Sequence, residues 1–95
     1  MLLVWGAGTL VDGGKKFDSS RDRGTPFSFV LGRQEVIPCW DIALASMRPG
    51  EQALLTCTAQ YAYGPHGSPP HIPGGAALRF EVELLEAENP THDEL

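Results

Sequence analysis

Little in this sequence points to a nucleic acid or a membrane as the main partner. Its 95 residues include 7 Lys and Arg against 12 Asp and Glu, a formal net charge of -5, so a basic surface for phosphates is not expected. No apolar run approaches the roughly 18 residues that a transmembrane helix needs. The apolar run at residues 1–5 is too short for a signal peptide and has no basic region before it.

Motifs for metal or covalent chemistry are equally scarce. The three histidines share no helical or strand spacing, and no serine has a G-x-S-x-G context. Asp18 and Glu35 are candidates for the carboxylate pair of a hydrolase, but acidic residues at sheet edges are usually just solvated. We therefore expect no metal site, no cofactor and no hydrolase.

The two cysteines, Cys39 and Cys57, do not have the spacing of zinc ligands. Cys57 lies in an apolar stretch, which predicts a small buried hydrophobic side chain. A disulfide between the two is left open, but nothing in the pattern requires one.

Glycine and proline are frequent, with 11 and 8 residues, and they mark turns between short apolar runs. This pattern is typical of one small, sheet-rich domain. In the first run, Gly6 and Gly8 are expected to weaken the strand. Strands are predicted over residues 2–11, 15–19, 27–31, 52–58 and 78–85, an exposed polar loop over 20–26, and a long loop over 64–75.

One helix is predicted, over residues 38–47. Pro38 is suited to its first position, where a missing N–H has no consequence. Trp40, Ala43, Leu44 and Met47 then fall on one helix face, and a Pro-Gly pair follows. The predicted fold class is α+β, with a bent antiparallel β-sheet wrapped around one short α-helix.

Five segments of the chain stand out as motifs: KFDSSRDR at 16–23, EVIPCW at 35–40, YAYG at 61–64, GSPPHIP at 67–73 and FEVELL at 80–85. In the right order and near the right spacing, they resemble the FKBP family, the macrolide-binding peptidyl-prolyl cis/trans isomerases. The resemblance covers residues 8–85 and implies an isomerase domain at 1–87, followed by an acidic tail at 88–95. It implies proline-containing peptides and rapamycin-like macrolides as partners, with no cofactor and a monomeric state.

The same resemblance implies a role for each matching residue. Trp40 would be the floor on which a proline ring lies, and the Ile37 N–H and Tyr63 hydroxyl would donate to ligand carbonyls. Other roles stay open, since Phe80 and Ile72 would also suit a core, and Asp18 would also suit a partner that orients Arg23. The implied catalytic residues are Asp18, Trp40, Tyr63 and Phe80, and the implied substrate-binding residues are Phe17, Phe27, Val36, Ile37, Ile72 and Arg23.

Two departures from the family pattern affect these expectations. The family's first strand has no counterpart before residue 2, and Gly6 stands where the family has a pocket tyrosine. We therefore expect lowered stability and weakened catalysis. The alternative function is a non-catalytic module that binds proline segments or macrolides with the same fold.

The location of the protein has two interpretations. The chain as given indicates the cytoplasm, because no signal peptide is recognisable. Its last four residues, His-Asp-Glu-Leu, match the retrieval signal of the endoplasmic reticulum lumen, which is the alternative.

Overall fold

Five strands and two α-helices form the regular structure of residues 1–87, the part of the chain that the computed structural model describes. The expected acidic tail at 88–95, with the last four residues that match a retrieval signal, lies outside these residues. Neither α-helix of the described part is long and apolar enough to cross a membrane. In chain order the elements are β1 (Leu2–Leu10), β2 (Lys16–Ser19), α1 (Ser20–Arg23), β3 (Phe27–Phe29), α2 (Pro38–Ala45), β4 (Gln52–Cys57), a 3₁₀ turn (Ala59–Tyr61) and β5 (Leu78–Ala87).

The strands form one antiparallel sheet in the order β2-β1-β5-β4, and β3 pairs with the first residues of β1. Strand β1 pairs with β5 from Leu2 to Leu10, so these two strands are the centre of the sheet. Register shifts after Leu3 and after Gly8 interrupt the pairing of β1, and such irregularities bend a sheet. The predicted α+β class is confirmed.

Strand β5 follows the alternating pattern that its sequence predicts. Leu78, Phe80, Val82 and Leu84 are buried, while the residues between them face outward. Helix α2 packs on this inner face through Leu44 and Trp40. The core therefore lies between the bent sheet and the single helix of more than one turn in the described residues.

The segment at residues 20–26 is not wholly the exposed loop that its polarity predicts. It begins with the four-residue helix α1, and Ser20 is completely buried. The Ser20 hydroxyl accepts a hydrogen bond from the Gly6 N–H at 2.8 Å and donates one to the Gly6 carbonyl at 3.2 Å. The prediction failed because a small hydroxyl can be buried when it satisfies backbone groups inside a fold.

The two cysteines form a disulfide, which the sequence pattern alone did not require. Cys39 in the first turn of α2 is bonded to Cys57 at the end of β4, with Cα atoms 5.9 Å apart. Cys57 is buried, as predicted, but it is not a free thiol. The two residues are 18 positions apart, and only the packing of α2 against the sheet brings them together.

Candidate functional site

A cleft of about 220 Å³ opens where strands β2, β3 and β5 meet the loop before α2. Eight of the ten predicted site residues line it, and Ile72 and Arg23 are the two that do not. The lining residues are Phe17, Asp18, Phe27, Glu35, Val36, Ile37, Trp40, Tyr63 and Phe80.

The floor of the cleft is a cluster of aromatic rings around Trp40, whose side chain is only 4% exposed. The rings of Phe27 and Phe80 meet the indole nearly at right angles, with centroids 5.3 and 5.4 Å away. Phe17 meets Phe80 in the same way at 5.7 Å. Edge-to-face pairs of this kind add about 0.5–1.5 kcal/mol each beyond the area they bury.

The indole N–H of Trp40 is buried without a hydrogen-bond partner among residues 1–87. An unpaired buried donor costs about 1–3 kcal/mol. Trp40 is therefore held by ring packing and by its backbone, with no polar tether on its side chain.

The rim of the cleft is more exposed and carries two hydrogen-bond donors. The Tyr63 side chain is 42% exposed, and its hydroxyl has no partner within the described part of the chain. The Ile37 carbonyl accepts from the N–H groups of Trp40 and Asp41 at 3.0 and 3.3 Å. The Ile37 N–H makes no such bond in residues 1–87, which leaves it able to donate to a ligand.

Asp18, near the end of β2, is one of the two carboxylates that line the cleft. Its Oδ1 accepts the backbone N–H of Ser19 at 2.9 Å and forms an ion pair with Arg23. The Arg23 guanidinium also lies over the Phe27 ring, 4.7 Å from the ring centroid. Arg23 lies outside the lining, yet it contacts two residues of the lining.

Comparison with known proteins decides the family. Residues 2–85 match the family described as FKBP-type peptidyl-prolyl cis-trans isomerase. The chain belongs to this family.

Three relatives show how far the similarity extends. The peptidyl-prolyl cis-trans isomerases FKBP4 of Rattus norvegicus and Homo sapiens are 57% and 56% identical over 89 residues, which cover 92% of this chain and 19% of each relative. The isomerase FKBP1A of Xenopus laevis is 53% identical over 78 residues, covering 82% of this chain and 72% of the relative. The chain thus spans about a fifth of the length of the FKBP4 relatives.

Two glycines of β1 let the aromatic rings of this FKBP-type domain lie directly on the strand. A Cβ at Gly6 would come within 2.7 Å of Trp40 Cη2. A Cβ at Gly8 would come within 2.5 Å of Phe17 Cζ and 2.7 Å of Phe80 Cε1. The sequence interpretation treated both glycines as weakening the strand, and Gly6 also as a departure from the family pattern. The structure shows that the rings need both glycines.

The position of Gly6 also bears on the departure from the FKBP pattern. Because the indole of Trp40 already approaches the Gly6 backbone, a tyrosine there would collide with the ring where it now lies. The floor is therefore packed in a way that is specific to a glycine at this position.

Two further residues of this FKBP-type site differ from their expected placement. Ile72 belongs to the buried core at 4% exposure and is not part of the lining, which agrees with the core role left open for it and not with the implied role in substrate binding. Glu35, considered only as a hydrolase carboxylate, lines the cleft, and its Oε1 accepts the Val30 N–H at 3.1 Å. Its place beside Val36 and Ile37 in one of the resembling segments was the available signal.

Proposed function

We propose that this domain catalyses cis/trans isomerisation of X–Pro peptide bonds in the cleft floored by Trp40. The observation that carries the proposal is the cluster of perpendicular rings around a nearly buried indole, with two unpaired donors at the rim. Such a site offers a flat apolar surface for a proline ring and hydrogen bonds for the flanking carbonyls. The names of the relatives, peptidyl-prolyl cis-trans isomerase, support the same reaction.

The reaction needs no nucleophile, because no covalent bond is broken. Rotation about an X–Pro amide is opposed by resonance, with an uncatalysed barrier of about 18–20 kcal/mol. Lowering that barrier by about 7 kcal/mol would accelerate the rotation roughly 10⁵-fold.

The aromatic cleft favours the twisted amide over the planar one. Resonance places extra negative charge on the oxygen of the planar amide, and water solvates that charge. Transfer into an apolar cleft removes this solvation and therefore penalises the planar state more than the twisted state. Only such differential binding accelerates the step, so the shape of the walls must also fit the twisted form better.

Each polar group of the cleft then has a defined task. The Ile37 N–H and the Tyr63 hydroxyl donate to carbonyls on either side of the proline and hold the peptide in place. Asp18 is positioned by Arg23 and supplies the one ion-paired carboxylate of the lining. Because Arg23 also covers the Phe27 ring, it links this carboxylate to the apolar wall.

The proposed ligands are proline-containing peptides and proteins, and macrolides of the rapamycin type. A macrolide would use the same floor and the same two donors, since it presents an apolar ring and carbonyl oxygens. We expect the domain to act as a monomer in both cases.

The test measures the isomerisation rate of a proline-containing peptide for Trp40→Ala, Asp18→Ala and Tyr63→Phe. We expect each to lower kcat/KM, with Trp40→Ala lowest. The matched control is Tyr61→Phe, because Tyr61 is similarly exposed, lies two residues away and does not line the cleft. Unchanged rates for both Trp40→Ala and Asp18→Ala would refute the assignment of the site.

A binding module without catalysis is the second candidate, and Gly6 is the observation that favours it. The family resemblance places a pocket tyrosine there, and the floor here is packed differently. Titration with a macrolide beside the rate assay separates the two candidates, because binding without turnover identifies the module.

A further inference from the structure

We propose that the Cys39–Cys57 disulfide positions the floor of the cleft, and that a dithiol reductant converts the domain to a weaker-binding state. The inference deepens the proposed function and rests on it for its binding readout. Its structural readout, the environment of the Trp40 indole, does not depend on that function.

The disulfide lies at the point in the chain where the cleft begins. Cys39 directly precedes Trp40, and Val36 and Ile37 come just before it. These three neighbours of Cys39 all line the cleft. The bond ties this segment to Cys57, the last residue of β4.

Few other contacts anchor the start of α2. Ile37, at the N-cap, makes no capping hydrogen bond with its side chain, and Pro38 has no N–H to donate. The Trp40 indole N–H has no partner in the described residues. The disulfide is therefore the one covalent link from this segment to the sheet. The remaining support is noncovalent: the packing of the rings and of Leu44, and the hydrogen bond that the Gly32 N–H donates to Asp41 Oδ1 at 3.3 Å.

Cys39 is the more exposed of the two cysteines. Cys57 is 2% exposed, whereas Cys39 is half-buried. Both cysteines line an apolar groove of about 580 Å³ between α2 and β4, which Ile42 and Tyr61 also line. A small thiol can thus approach the Cys39 sulfur through this groove.

A dithiol reduces the Cys39–Cys57 disulfide in two thiol–disulfide exchange steps. A thiolate of the dithiol attacks Cys39 Sγ, the bond between the two cysteines breaks, and Cys57 leaves as a thiolate. The second thiol of the reductant then displaces Cys39 and closes a cyclic disulfide. Two electrons pass from the dithiol to the protein, and both cysteines take up protons to end as thiols.

The expected effect on binding follows from the fraction of molecules with the floor in place. In the oxidised domain Trp40 is held by ring packing and by the tie at Cys39. Without the disulfide we expect the start of α2 to adopt several conformations. The apparent affinity for the peptide then falls in proportion to the fraction of molecules that are in the binding-competent conformation. If about one molecule in ten keeps the floor in position, the Kd rises about tenfold.

The experiment compares oxidised and dithiothreitol-reduced protein, with the number of free thiols counted in each. It uses a Trp5→Phe background, so that Trp40 is the one remaining tryptophan. We expect reduction to shift the Trp40 emission to longer wavelength, and to raise the Kd of a fluorescent proline peptide about tenfold. The double variant Cys39→Ala/Cys57→Ala should match the reduced protein and ignore the reductant.

A second variant separates positioning from a general loss of stability. Leu84→Ala removes a buried side chain of β5 that does not line the cleft. At a temperature where all variants stay folded, it should keep the emission maximum and the peptide Kd of the parent.

Each remaining outcome has a definite meaning. The inference is overturned if the oxidised protein has two free thiols. It is also overturned if the Trp40 emission and the peptide Kd do not change after complete reduction, or if the Kd of Leu84→Ala rises as much as that of the reduced protein. If neither state binds the peptide, the proposed function fails, and the emission shift alone then supports or refutes the role of the disulfide.

Discussion

The floor and the rim of the cleft are built in different ways. The floor consists of buried and half-buried rings that lie against the backbone of β1 at Gly6 and Gly8. The rim consists of Val36 and Ile37 from the loop before α2 and of the exposed Tyr63 beyond the 3₁₀ turn. The floor is thus part of the core of the domain, whereas the rim is attached to it.

Because of this difference, substitutions in the floor and at the rim should affect stability and ligand binding to different degrees. A change in the floor alters core packing as well as binding, because Trp40 and Phe80 belong to the core cluster. A change at Tyr63, which is 42% exposed, removes little buried area, so it affects mainly the ligand. A domain of this size has only about 5–15 kcal/mol of stability, and a single change in the floor uses a large part of it.

The largest effect on stability is expected for Trp40→Ala. Removal of a buried aromatic side chain lowers the free energy of unfolding by about 3–5 kcal/mol. Tyr63→Ala, at the rim, should lower it by less than about 1 kcal/mol. Urea denaturation of both variants measures the difference, and equal losses would show that the floor and the rim are equally part of the core.

Gly8→Ala is expected to lower the free energy of unfolding by about 1–3 kcal/mol, because its methyl group would overpack the Phe17 and Phe80 rings. Glycine to alanine at an unstrained, open site instead stabilises by about 0.4–1 kcal/mol. The sign of the change therefore tests whether the rings lie on the strand. The control is Ala7→Ser on the outer face of β1, where we expect a change within about 0.5 kcal/mol. A Gly8→Ala variant more stable than the parent, by thermal or urea denaturation, would contradict the packing described for the floor.

The smallest effect on stability is expected for Arg23→Met, which tests whether Arg23 positions groups at the edge of the cleft. Arg23 pairs with Asp18 and lies over Phe27, both of which line the cleft. Arg21 makes the same two kinds of contact on the outer face of the sheet, an ion pair with Glu83 at 2.6 Å and a stack over Trp5 at 5.3 Å. Exposed pairs of this kind contribute about 1 kcal/mol or less.

Arg21→Met is therefore a matched control for Arg23→Met. Both variants should lose similar, small amounts of stability in denaturation experiments. Only Arg23→Met should weaken binding of a proline peptide, because only Arg23 orients groups of the cleft. If both weaken binding equally, Arg23 has no special role in positioning Asp18.

Much of the fold could be predicted from local pattern. The alternation in β5 and the helical spacing of Trp40 and Leu44 each report which face is buried, and both predictions agree with the structure. The resemblance of the five segments to the family predicted eight of the nine lining residues as site residues, and it did not include Glu35. Boundaries were less accurate, since α2 ends at Ala45 rather than at residue 47.

The remaining features depend on contacts between distant parts of the chain. Ser20 appeared exposed because its neighbours are polar, but it is buried where it can bond to Gly6 across the sheet. Ile72 matched the family segment that covers the pocket, yet its side chain packs into the core. No local sequence pattern predicts whether the Ser20 and Ile72 side chains are buried, because their burial depends on which distant parts of the chain pack against them.

The sequence by itself determined the family, the antiparallel strands and the identity of the aromatic residues that form the floor. The strands follow from side-chain periodicity, whereas the family and the floor residues follow from the resemblance of the five segments to the family. Both are local properties of the chain. Only the tertiary structure decided that Cys39 meets Cys57, that the rings need Gly6 and Gly8, and that Arg23 links Asp18 to Phe27. Those contacts arise when α2 and the strands pack together, and the distance between two side chains in a fold is not encoded by their separation in sequence.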